Sequence, residues 1–443
     1  MIESKKENVR KEGNMLKKNA IVGQSGGPTG VINASLYGVI QEGIARDRQI
    51  GTVYGMIHGI EGFLEGWYMD LKAELSKEEQ DRLRLTPAAY LGSCRYKLPE
   101  DLTADVYPLL FTKLEELNIG YFFYIGGNDS MDTVSKLSRY GRQIDSPIRF
   151  VGIPKTIDND LILTDHTPGF GSAAKYVATT VREIVLDSSV YRQKSITIIE
   201  LMGRHAGWLT AASVLARFEK GDNPALIYLP ERPFSLEQFA CDVEREFEKR
   251  RGVVVCVSEG IQDLEGTFLC EYGEEKLAAC IGKETKAVND HEKEESLLDN
   301  FGHKMLTGCG KILERFARER FGVKVRSIEL NVSQRCSGML ASMTDIEEAQ
   351  KAGQMGVTYA LDGENGVMVA FVRSSKEVYE LDFSPVDVDQ VCNQEKTVPL
   401  SWISQDGNDI TDAYVNYVMP LIQGTAYPPM KNGMPEYLTR RQK

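Results

Sequence analysis

Apolar residues in this chain gather into short runs that end in glycine or polar turns, and amphipathic stretches follow them. "AIVGQSGGPTG" runs from Ala20 to Gly30, and "VINASLYGVIQEGIA" after it carries Ile32, Leu36, Val39 and Ile40 at helical spacing. "YFFYIGGNDS" (121–130) precedes the helix-like "MDTVSKLSRYG", and "IRFVGIPKT" begins a further strand at Ile148. A second set starts near Gly171. There "SAAKYVATTVREIVLDSS" predicts a helix, while "SITIIELMGR" (195–204), "ALIYLPE" (225–231) and "GVVVCVSEG" (252–260) predict strands. "SLEQFACDVEREFEKRR" predicts an amphipathic helix capped by Ser235, and "MLTGCGKILERFARERFG" predicts another. The alternation predicts an α/β fold of two Rossmann-like lobes, each with a central, mostly parallel sheet flanked by helices. Ligands in such sheets bind beyond the carboxyl ends of the strands. Each polar cluster here follows an apolar run, so the clusters share one rim and the active site falls in the cleft between the lobes.

The length, 443 residues, exceeds one ordinary core and agrees with two lobes. The expected division is a flexible leader at 1–17, a first lobe at 18–168 completed by about 336–363, and a second lobe at 169–335. A charged insertion at about 283–300 ("KETKAVNDHEKEESLLDN") belongs to the second lobe, and 364–443 forms a C-terminal segment packing on the lobes. The net charge of −12 argues against nucleic acid or an anionic membrane as partner. It leaves room for a phosphorylated substrate held by a local arginine cluster. Eight cysteines without a C-x-x-C, among them Cys94, Cys256, Cys309 and Cys336, read as reduced, core-type thiols of a cytoplasmic protein. The five histidines lack metal-ligand spacing, no 18-residue apolar run exists, and the charged start lacks the apolar core of a signal peptide.

Chemistry concentrates in a few stretches. In "GQSGGPTG", Gly26 and Gly27 fit a plain tight turn or a phosphate cradle at a helix N-terminus equally well, and the motif is neither G-x-G-x-x-G nor a P-loop. In "IGGNDSMDT", Asn128 and Asp129 offer oxygens suited to Mg²⁺ or its water shell, or else a helix cap. "PKTIDND" (154–160) is the densest. In an extended segment Asp158 and Asp160 point to the same side, one suited to act as base on a hydroxyl acceptor and the other as organiser. Lys155 suits charge developing on a phosphate. Arg204 in "ELMGRHAGW", Arg95 in "YLGSCR", Arg335 in "NVSQRC" and Arg326 suit phosphate binding, each alone being an ordinary surface ion-pair residue as well. Glu259 ends another strand in "SEG".

Taken in chain order, these motifs resemble the 6-phosphofructokinase family over roughly residues 17 to 375, with T-I-D-N-D followed by M-G-R as the specific pair. The resemblance implies that Asp158 is the base on the sugar 1-hydroxyl and that Thr156 and Asp160 organise it. It also implies that Met202, Gly203, Arg204, Glu259 and Arg335 hold fructose 6-phosphate, and that Arg326 reaches a sugar phosphate across a subunit interface. Gly26, Gly27, Arg95, Asp129, Ser130 and Lys155 would meet the donor in the first lobe. In this family the position before T-I-D is typically Gly in ATP users and Lys in pyrophosphate users, and the position after the Asp/Asn of the glycine motif is typically Gly or Asp respectively. Lys155 and Asp129 both match the pyrophosphate users. An Asp129 carboxylate would repel an ATP α-phosphate from the space that it occupies.

The expected activity is therefore reversible, Mg²⁺-dependent phosphoryl transfer from pyrophosphate to fructose 6-phosphate by a cytoplasmic homodimer or homotetramer. An ATP-dependent sugar-phosphate kinase and a catalytically silent regulatory subunit are the alternatives. Three positions depart from the family pattern. Asn128 stands where an Asp often serves Mg²⁺, which leaves either a weaker metal site or Asp129 sharing the task. Val332 replaces a His or Tyr, and Pro28 replaces an Asp.

Overall fold

A computed structural model describes residues 17–281, 306–374 and 378–440. The strands in chain order are β1 (Lys18–Gln24), β2 (Ile50–Met56), β3 (Tyr68–Asp70), β4 (Ile119–Gly126), β5 (Arg149–Pro154), β6 (Ser195–Leu201), β7 (Leu226–Tyr228), β8 (Gly252–Ser258), β9 (Lys324–Glu329), β10 (Val367–Arg373) and β11 (Leu381–Asp387). Seven of them form one sheet in the order β11-β10-β5-β4-β1-β2-β3. Its centre is parallel, and the two edge strands β3 and β11 run antiparallel to their neighbours. A second sheet, in the order β7-β8-β6-β9, is parallel throughout.

Burial on both faces explains the continuous apolar runs. Along β4, Phe123 and Ile125 enter one core with Val22, Val151 and Ile153. Phe122 and Tyr124 enter the core on the opposite face, with Ile21 and Phe150. The second sheet does the same: Ile199, Val254 and Cys256 face one core, and Ile198, Val253 and Val255 face the other.

The helices form where the spacing predicts them. Ile32–Ala45, Phe170–Ser189, Leu236–Lys249 and Cys309–Phe321 are all helical. Ser235 caps the third of these by accepting from Gln238 N. The helix Met343–Leu361 crosses Ile32–Ala45 at two glycines. A Cβ on Gly38 would lie 2.0 Å from Gln350 O, and one on Gly353 would lie 2.1 Å from Ser35 O, so only glycine permits this approach. Residues 343–361 thereby pack on the large sheet.

Two strands of that sheet come from beyond residue 363, the segment expected to pack on the lobes, so part of it is built into the first sheet itself. β10 pairs with β5 through Val367↔Val151, more than two hundred residues apart, and that pairing carries no local signal. Cys94, Cys256 and Cys309 are buried free thiols, but Cys336 and Cys241 are exposed, so the expectation of core thiols holds only in part. The predicted insertion at 283–300 and nearly all of the predicted leader lie outside the described residues. No helix among the described residues is long and apolar enough to cross a membrane.

Candidate active site

The carboxyl ends of β1, β4, β5, β6 and β8 open onto one cavity of about 680 Å³ between the two sheets. Every site residue expected from the sequence lines it except Gly203 and Arg326.

On the donor side, β1 ends at Gln24 and the chain turns at Gly26, whose φ of +74° suits glycine. Gly26 N donates to Cys94 O (3.1 Å), and Ser93 Oγ donates to Gly26 O (2.7 Å). This ties "YLGSCR" to the glycine turn and brings Arg95 to the cavity. Lys155 follows β5; its N donates to Gly126 O (2.9 Å), and its Nζ donates to Gly27 O (2.6 Å). Its ammonium thus sits directly under the turn. Burial lowers Lys155 to about 8, against the pull of Asp158 and Asp160. Asp129 lies in the first turn of the helix Asn128–Gln143, across the same cavity.

On the acceptor side, Thr156 Oγ1 accepts from Asp158 N (3.1 Å), so the threonine hydroxyl orients the aspartate backbone. Burial first, and the Asp160 carboxylate second, push Asp158 up to about 7, a value suited to a base working near neutral pH. Burial raises Asp160 as well, and its Oδ1 is buried without a hydrogen-bond partner among the described residues. The extended geometry expected for 154–160 is wrong at one residue. Asn159 has φ +53°, a conformation that asparagine tolerates, and its side chain is fully buried. Both carboxylates reach the cavity through this turn.

The sugar side is built by the loops after β6 and β8. Met202 N donates to Gln334 Oε1 (3.3 Å), and Gly203 N donates to Glu259 Oε1 (3.3 Å). Burial raises Glu259 to about 8. A Cβ on Gly260 would lie 1.8 Å from Arg204 O, so the two loops are in backbone contact.

Two expectations need correction. Asn128, expected to serve a metal, has turned its amide onto the C-terminal segment: Nδ2 donates to Gln394 O (2.7 Å) and Oδ1 accepts from Asn393 N (2.7 Å). A carboxylate could make only one of these bonds, which accounts for Asn at this position. Arg335, expected at the sugar phosphate, reaches the donor turn, where a Cβ on Gly27 would lie 2.9 Å from its Nη1. Arg326, expected to act across a subunit interface, stands on β9 outside this cavity, 3.7 Å from Asp187 Oδ2 in an exposed ion pair. The sequence reading also missed Gln334, and it missed Asn393 and Glu395, which line the cavity from a polar loop with no recognisable pattern.

As a whole, the cavity sets four cationic side chains (Arg95, Lys155, Arg204 and Arg335) around three aspartates (Asp129, Asp158 and Asp160) and a glycine turn. That arrangement can hold two phosphate groups with a hydroxyl between them. The sequence model of the Phosphofructokinase family matches residues 19–329. A pyrophosphate–fructose 6-phosphate 1-phosphotransferase from Methylococcus capsulatus is 40% identical over 429 residues, covering 96% of both chains. One from Halomonas elongata is 39% identical, covering 95% of this chain and 96% of the relative. The crystal structure of a pyrophosphate-dependent phosphofructokinase from Nitrosospira multiformis superposes with a TM-score of 0.82 at 34% identity, covering 95% of this chain and 96% of that one. The cavity built on the strand ends and the full-length likeness agree, and the chain belongs to the phosphofructokinase family.

Proposed function

We infer that the protein transfers a phosphoryl group reversibly from pyrophosphate to the 1-hydroxyl of fructose 6-phosphate. The observation that carries the donor assignment is the Lys155 ammonium beneath the Gly26–Gly27 turn, with Asp129 facing the same space. Lys155 there meets the charge that grows on the departing phosphate. Asp129 takes the volume that the α-phosphate of a nucleotide would need, and its charge repels it.

Asp158 accepts the proton of the sugar hydroxyl as the oxygen attacks the nearer phosphorus. The bond from that phosphorus to the bridging oxygen breaks, and orthophosphate leaves. Arg95 and Arg335 neutralise the transferring group, and Arg204 with the Met202–Gly203 backbone holds the sugar phosphate. Arg326 is proposed to act only from a neighbouring subunit, in a homodimer or homotetramer. Eight free thiols suit a cytoplasmic setting.

Among the described residues, no cluster of three or more His, Cys, Asp or Glu side chains could hold a metal unaided. That donor set fits Mg²⁺, which commonly uses one or two carboxylates and completes its shell with substrate phosphates and water. Asp129 and the donor phosphates would hold it, and it would offset donor charge.

A coupled assay of the purified protein with each donor tests the reading. Turnover with pyrophosphate and none with ATP is expected. ATP turnover without pyrophosphate turnover would overturn the donor assignment, and no turnover with either would favour a silent binding subunit.

A further inference from the structure

One short segment touches three loops of the cavity, those after β4, β5 and β6. It begins where Val388 and Val391 are buried in the core of the large sheet. Asn393, at φ +62°, and Gln394 then pair with the amide of Asn128 on the donor side. Two residues later Lys396 N donates to Asp160 O (2.7 Å), and Lys396 O accepts from Trp208 Nε1 (2.9 Å). Val398 N donates to Glu231 Oε1 (2.9 Å), which also accepts from Gly207 N (2.8 Å) in the sugar loop. The segment is therefore a strap across donor, base and sugar loops.

The Lys396 side chain does not enter the active-site cavity. It folds beneath the turn that carries the two aspartates. Its Nζ donates to Asp165 O (2.8 Å) and Thr164 O (3.1 Å) and lies 3.4 Å from Asn159 Oδ1. Three acceptors match the three donors of an ammonium. Asn159 is held on its other side, where Nδ2 donates to Tyr417 Oη (2.9 Å) and Tyr417 Oη donates to Asp165 O (2.7 Å). We propose that Lys396 is a positioning residue for phosphoryl transfer, its ammonium locking the Asn159 turn that aims Asp158 and Asp160 at the reacting atoms. The proposal rests on the function inferred above. Burial lowers Lys396 to about 8, with Asp165 and Asp160 opposing, so its contacts with three oxygens are what offset the cost of burying the cation. An apolar side chain at 396 would strand these oxygens and free the turn.

Steady-state kinetics of the full-length chain test this. Lys396→Met is expected to lower kcat on the order of 10- to 100-fold, the loss that a misplacement of about 1 Å produces. The KM values for pyrophosphate and fructose 6-phosphate stay within about threefold of wild type, because the groups that bind them are untouched. Lys396→Arg should recover most of the loss, since the adjoining cavity of about 540 Å³ gives a longer cation room. The double variant Lys396→Met/Asp158→Asn should lose no more than Asp158→Asn alone, because positioning the base matters only while the base is present. Full kcat in Lys396→Met, or additive losses in the double variant, would overturn the proposal. If Lys396→Met does not fold, Tyr417→Phe removes the opposite anchor and should show the same kcat-only loss; unchanged kcat there would overturn the proposal equally. A wild type inactive with pyrophosphate would count against the donor assignment alone, and the same comparison is then made with the donor that it uses.

Discussion

Asp158 should make the protein less stable as it becomes competent for catalysis, and Asp158→Asn measures by how much. Burial and the neighbouring Asp160 raise this carboxyl from its ordinary 3.8 to about 7, even with Lys155, Arg335 and Arg204 pulling the other way. The fold therefore binds the proton more tightly than the unfolded chain does. The stability that this contributes is complete below about pH 4 and is lost as pH rises through 7. A gap of about three pH units at 1.36 kcal/mol per unit makes ionised Asp158 cost at most about 4 kcal/mol at pH 8. Asparagine keeps the shape and stays neutral. Asp158→Asn should thus match wild type near pH 4, gain about 1–2 kcal/mol at pH 5, and gain up to about 4 kcal/mol at pH 8. Denaturant unfolding at pH 5 and pH 8, without substrate or metal, reads the difference. The same variant should lose phosphoryl transfer by about 10²–10⁴-fold, the usual contribution of a positioned base. Equal stabilisation at both pH values, or none at pH 8, would refute the claim that burial raises this group.

Other outcomes follow from the same geometry. Asp129→Gly combined with Lys155→Gly should reduce pyrophosphate turnover by at least about 10²–10³-fold, the loss typical of removing one charge-stabilising donor; unchanged pyrophosphate kinetics would sink both assignments. The free enzyme's kcat/KM should rise between pH 6 and pH 8 as Asp158 loses its proton, and a flat profile would remove it as the base. Gly260→Ala puts a Cβ 1.8 Å from Arg204 O, so it should raise KM for fructose 6-phosphate and lower stability by about 1–3 kcal/mol. Wild-type KM in that variant would show that the 202–207 loop does not depend on this contact.

The elements legible in the sequence were those whose burial is local. "FFYIG" and "VVVCV" lie in strands covered on both faces, so composition alone gives them away. β9 escaped because it is an edge strand, and "KVRSIE" mixes charge with apolar residues there. β10 is as apolar as β4, yet its place beside β5 depends on a pairing across more than two hundred residues. Charged side chains at strand ends were equally legible, since charge rarely follows an apolar run without a purpose; Lys155, Asp158, Arg204 and Glu259 all meet at one cavity. Arg335 shows the limit of that logic, because a motif fixes the side chain's identity but not that it packs against the Gly27 turn.

What escaped the sequence reading acts by shape. From the sequence Asn128 reads as a metal ligand or a helix cap, whereas in the fold it matches the donor and acceptor of a peptide edge at 393–394. Lys396 sits in "NQEKTVP", a stretch without a motif, yet its ammonium is matched to oxygens at residues 159, 164 and 165. Lys396 belongs to the strap and Asn128 is bonded to it, and both make these bonds to segments more than two hundred residues away. A buried pair of aspartates that repel each other would relax outward if its turn were free. Covalent connection through Asn159 does not prevent this; the hydrogen bonds that the Asn159 side chain makes with Lys396 and Tyr417 do. The segment without a recognisable motif is therefore the one that allows the motif residues to stay close together while charged.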